Sequence, residues 1–89
     1  MDKEKKRIIA KDLIIEGKLT ELKDVFNYID AKYISEKAGM NYYRLLRNIQ
    51  NPKGFKFEDA YTLARTLQVP PDKMIALITN QIEVRKKKA

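Results

Sequence analysis

The 89-residue chain contains no cysteine, no histidine and no tryptophan. Without Cys and His, disulfides, thiolate or imidazole metal sites and imidazole general bases are all excluded. With only three glycines and three prolines, the chain has no Gly-rich phosphate loop, and no serine-nucleophile motif accompanies its carboxylates, lysines and tyrosines. These absences argue against an enzyme and leave no cofactor or metal to expect. Long apolar runs are missing too, the longest being Met74 to Ile78, far short of a bilayer span. The Lys-rich start is broken at Lys11 and Asp12, which a signal-peptide core of about 7 to 15 apolar residues does not tolerate. The expectation is a cytoplasmic protein with no membrane attachment.

What is present is positive charge, with 19 Lys and Arg against 12 Asp and Glu, a net charge of +7. The excess is unevenly placed. Residues 31–57 hold Lys32, Lys37, Arg44, Arg47, Lys53 and Lys56 against Glu36 alone, a net +5, while the segments on either side are close to neutral. The last residues, 83–89, are basic again. A basic centre suits a polyanion, because neutralised phosphates release condensed counterions. A solvated helix surface accounts for lysine equally well, so geometry has to decide between the two.

The length fits one domain. Apolar residues recur at helical spacing without strand-like alternation, so the chain reads as all-α. A first helix over about residues 3–16 gathers Ile8, Ile9, Leu13 and Ile15 and stops at Gly17. Thr20 is placed to cap a second helix with Leu22, Val25, Phe26 and Ile29 on one face. Asp30 caps a short helix from Ala31 to Lys37, with Ile34 and Ala38 inward, and Gly39 supplies the turn. Asn41 then caps a helix reaching about Asn51, with Tyr42, Leu45, Leu46 and Ile49 as its inner side. Phe57, Ala60, Tyr61, Ala64 and Leu67 form the expected core face of the next helix. Pro71 opens the last one, whose Met74, Ile75, Leu77, Ile78 and Ile82 form a stripe wide enough for both the core and a second subunit.

The helix after Asn41 is the most informative. At 100° per residue its outer side carries Arg44, Arg47, Asn48 and Asn51, with Tyr43 and Gln50 on the shoulder, and no acid occurs anywhere on it. Solvated surfaces ordinarily mix signs. Arginines, amides and a tyrosine without a carboxylate are suited to hydrogen bonding along an anionic polymer.

At Ile34-Ser35-Glu36-Lys37-Ala38-Gly39-Met40-Asn41, followed by Arg44-Leu45-Leu46-Arg47, the sequence resembles the Cro/C1-type helix-turn-helix family of phage and bacterial repressors. Asn51-Pro52-Lys53-Gly54-Phe55 and the segment from Leu63 to Val69 are similar to that family's loop and following helix, so the resemblance covers about residues 20–79. It implies a lambda repressor-like, compact bundle of about five to six short helices, binding of double-stranded DNA as a homodimer, and regulation of transcription, here as a repressor. The motif spans 30–51, preceded by an N-terminal helix over 1–18 and followed by a basic tail over 80–89. The chain departs from the family pattern at three places. Asn48, not an apolar residue, stands nine positions after Gly39, with Ile49 next, which leaves two rotations of the helix open. Ala31 and Lys32 replace the usual Gln, and Lys56 replaces the usual Ser or Thr cap.

The expected base-reading set is therefore Asn41, Tyr43, Arg44, Arg47 and Asn48, with the arginines on guanine, Asn48 on adenine and Tyr43 on a thymine methyl or a phosphate. Lys32, Lys37, Lys53 and Lys56 are the expected phosphate contacts. A protein-interaction module such as an antitoxin is the alternative function for the same fold.

Overall fold

The computed structural model describes residues 2–88, with side chains described to residue 84. Among the described residues six α-helices form an all-α bundle: α1 (Lys3–Ile15), α2 (Leu22–Val25), α3 (Ala31–Ala38), α4 (Tyr42–Gln50), α5 (Phe57–Leu67) and α6 (Pro71–Lys88), with a 3₁₀ turn at Pro52–Gly54. No strand occurs among the described residues. No helix among them is long and apolar enough to cross a membrane.

One core joins all six helices. Ala10 and Ile14 enter it from α1, Leu22 and Val25 from α2, Ile34 from α3 and Leu45 from α4. Ala60, Leu63, Ala64 and Leu67 of α5 meet Met74, Leu77 and Ile78 of α6, and Ile29 and Val69 close the gaps between elements.

Local chemistry sets the helix boundaries. The Asp2 carboxylate accepts the Glu4 N–H at 2.9 Å, and the Asp30 carboxylate accepts the Lys32 N–H at 3.0 Å, each satisfying a donor that the helix start leaves without a partner. α3 ends at Gly39, whose φ of +70° lets the Met40 N–H reach back to the Ser35 carbonyl at 2.9 Å. A Cβ at Gly39 would meet nothing within 4 Å. The residue is thus required by the left-handed backbone alone, not by close packing. α5 ends in the same hydrogen-bond pattern with Gln68 at φ +60°, so this motif does not demand glycine everywhere.

Several expectations are corrected. The second helix is a single turn whose N-terminal flank is Glu21, with the Glu21 N–H bonded to Asp24 Oδ2 at 3.1 Å; Thr20 caps nothing, and the chain turns irregularly from Phe26 to Ile29. In α1 the inner side is Arg7, Ala10 and Ile14, leaving Ile8, Ile9 and Ile15 exposed. In α5 Phe57 and Tyr61 also face outward, Phe57 at 74 % exposure. The helix is aligned by Ala60, Leu63, Ala64 and Leu67, whose i, i+3, i+4, i+7 stripe excludes the two aromatics from the core. On α6 Met74, Leu77 and Ile78 are consumed by the core, while Ile75 and Ile82 are half-buried. α6 continues as helix to Lys88, into the segment expected to be a tail. The side chains of Arg85 to Lys88 lie outside the described residues.

Candidate nucleic-acid interface

α4 follows the Gly39 turn directly. Asn41 Oδ1 accepts the Arg44 N–H at 3.0 Å, so the expected cap is in place, and the capping role occupies an oxygen that was a candidate base contact. Leu45 is fully buried beneath the helix, with Tyr42, Leu46 and Ile49 half-buried beside it. Tyr43, Arg44, Arg47 and Gln50 are exposed. Tyr43 is 73 % exposed and meets the Tyr42 ring edge-on at 5.3 Å between centroids.

Asn48 is the correction within this set. It is 8 % exposed, and its Nδ2 is buried without a hydrogen-bond partner among the described residues. The structure thus takes the rotation in which residue 48 points inward, where an apolar side chain was the family expectation, and Asn48 is not presented for reading adenine. Its side chain lies against Gly54, where a Cβ would stand 2.4 Å from Asn48 Oδ1. Close approach therefore explains the glycine after α4.

Arg44, Arg47, Gln50, Asn51 and Gly54 surround an open depression of about 590 Å³, with Asn48 also lining it. The 3₁₀ turn that begins beside Asn51 carries Lys53, and the chain continues through Lys56, both exposed. Lys32 is exposed at the start of α3. None of these three lysines has an ion-pair partner among the described residues. Lys37 is drawn elsewhere: its Nζ lies 3.6 Å from Glu4 Oε2 and 5.9 Å from the Tyr33 ring centroid, against α1.

The two arginines differ. Arg47 has no side-chain partner among the described residues. Arg44 donates through Nη2 to Asp59 Oδ1, although its side chain remains 45 % exposed. Asp59 is buried, and its other oxygen accepts the Lys56 N–H at 3.3 Å, which starts α5 in place of the missing Ser or Thr cap. Acids in a first helical turn are explained by the macrodipole alone. Sequence reasoning therefore had no reason to connect Asp59 with α4.

Gln81 was also missed. This buried α6 side chain accepts the Lys23 N–H at 2.8 Å and donates to the Ile49 carbonyl at 2.7 Å. One amide thus satisfies an N-terminal donor of α2 and a C-terminal acceptor of α4, fixing the end of α4 to the bundle. Its position within an apolar stripe was the available signal, since a buried amide must find partners. Beyond α4, the Glu4 carboxylate receives the Tyr33 hydroxyl and the Arg7 Nε–H, the latter at 2.9 Å, so α1 is tied to α3 through polar groups. The chain matches no family model, no curated protein and no solved structure.

Proposed function

We infer that the chain is a small cytoplasmic DNA-binding regulator, of repressor type, that inserts α4 into the major groove of double-stranded DNA. The observation that carries this reading is the outer side of α4: Tyr43, Arg44, Arg47 and Gln50 are exposed on a helix with no carboxylate of its own, beside an open depression. An arginine there has the reach and the donor geometry to bind guanine O6 and N7 together. Arg47, with no partner to release among the described residues, is the first such reader, and Tyr43 supplies a contact for a thymine methyl or a phosphate. Lys32, Lys53 and Lys56 supply phosphate contacts, while Lys37 must first exchange Glu4 for phosphate. α3, the Gly39 turn and α4 would then act as a helix-turn-helix, in keeping with the resemblance of residues 34–47.

Selection of duplexes from a random pool tests this. A shared site should emerge, and Arg47→Ala should cost about 1–3 kcal/mol on it while relaxing preference at one base pair. An unchanged affinity would remove Arg47 from the reading set.

Binding as a homodimer completes the reading, since two half-sites one helical turn apart multiply affinity. The surface that favours a protein contact is exposed Phe57 and Tyr61 on α5, with a small cleft of about 110 Å³ lined by Phe57, Ala60, Ile75 and Ile78. The same surface favours the second reading, a protein-interaction module such as an antitoxin. Recovery of one stoichiometric acidic protein partner, together with absence of salt-sensitive DNA binding, would select that reading instead.

A further inference from the structure

The geometry points to Asp59 as the positioning residue for Arg44, holding its guanidinium for a base contact rather than merely neutralising it. The inference rests on the DNA-binding reading of α4 and adds to it a buried partner that orders one of the two arginines before DNA is bound.

Asp59 is nine-tenths buried, and a buried carboxylate persists only when its oxygens are paired. Here Oδ2 is fixed by the Lys56 N–H of the α5 start and Oδ1 by Arg44 Nη2. Arg44 is in turn held at its backbone by the Asn41 cap. The side chain is therefore tethered at both ends, one on α4 and one on α5, while still facing the depression. A guanidinium carries five N–H donors, so one bond to Asp59 leaves enough to engage two acceptors of a base. Being ordered before DNA arrives, Arg44 loses less rotamer freedom on docking than an untethered arginine such as Arg47. The carboxylate also cancels much of Arg44's attraction for phosphate. Arg44 thus serves sequence discrimination more than general affinity.

The test uses Asp59→Asn, which keeps an oxygen for the Lys56 N–H and removes the charge, with Asp59→Ser as a second variant and urea unfolding to confirm that each is folded. The probes are duplexes selected from a random pool by the wild-type chain, their single-base variants and an unrelated duplex. Discrimination at one base pair should fall about tenfold. Affinity for the unrelated duplex should hold or rise, with a salt slope steeper by up to about 0.9. Arg44→Ala should lose preference at that same pair, and the double variant should lose no more.

Full discrimination retained in folded Asp59→Asn or Asp59→Ser would overturn the inference and leave the DNA reading intact. Equal weakening on every duplex would also overturn it, since that is what a purely structural cap predicts. If the wild-type chain selects no duplex, the DNA reading fails and this inference fails with it.

Discussion

On α4 the exposed positions are Tyr43, Arg44, Arg47 and Gln50, whereas on α5 they include Phe57 and Tyr61. Both helices bury leucine, with Leu45 under α4 and Leu63 and Leu67 under α5. Their outer sides suit different partners. A surface of arginine and amide gains most from a polyanion that shares its hydrogen-bonding capacity, while exposed aromatic rings gain most from being removed from water. One small domain thus carries two surfaces, and changes at each should separate effects on DNA binding from effects on protein association.

The largest effect should come from beneath α4. Leu45→Ala removes a fully buried side chain and should cost about 2–5 kcal/mol of stability in urea unfolding. A loss below about 1 kcal/mol would mean that α4 is not anchored by this contact. Gly39→Val comes next. The +70° backbone angle has no steric obstacle around it, so the strain is that of a β-branched residue in the left-handed region, about 1–2 kcal/mol. Normal stability would show that the turn before α4 can be rebuilt.

Phe57→Ala should leave stability within about 0.5 kcal/mol, because the ring is already 74 % exposed. Sedimentation should nevertheless show weaker self-association. A large stability loss with unchanged association would abolish the contrast between the two helices.

The smallest effect concerns α1. The Tyr33 hydroxyl, followed by the Arg7 guanidinium, holds the Glu4 carboxyl below its ordinary range, and the same bond to Glu4 pushes the Tyr33 phenol up. A depressed carboxyl contributes stability above its ordinary value that is lost as pH falls through the lowered one. A raised phenol contributes stability below its ordinary value that is lost as pH climbs through the raised one. Glu4→Gln should therefore flatten the acid limb of a plot of melting temperature against pH. Parallel curves for the two proteins would show that this contact does not couple α1 to α3.

Much of the fold was legible because helix ends carry local chemistry. Asp30, Gly39 and Asn41 announce the boundaries of α3 and α4 within three or four residues of the groups they bond. Facing directions were less legible. Phe57 and Tyr61 fit an apolar stripe with Ala60 and Ala64, and only the entry of Leu63 and Leu67 into the common core decides which stripe turns inward. Asn48 is illegible for the opposite reason: its polarity points outward, whereas its spacing from Leu45 places it on the buried side. Within the candidate site, exposed Tyr43, Arg44 and Arg47 were readable from a helix lacking acids. The Arg44–Asp59 pair and the Gln81 bridge join residues 15 and 32 positions apart or more. Helical periodicity holds no information about such partners.

If α4 binds duplex DNA as proposed, the salt dependence of affinity for a selected duplex, compared between the wild-type chain and Arg47→Ala, will show it. Log K should fall linearly with log salt for both proteins, with the variant weaker by about 1–3 kcal/mol on the selected site alone. Affinity that is insensitive to salt would contradict DNA binding by α4, whereas identical affinities for the two proteins would remove only Arg47 from the reading set.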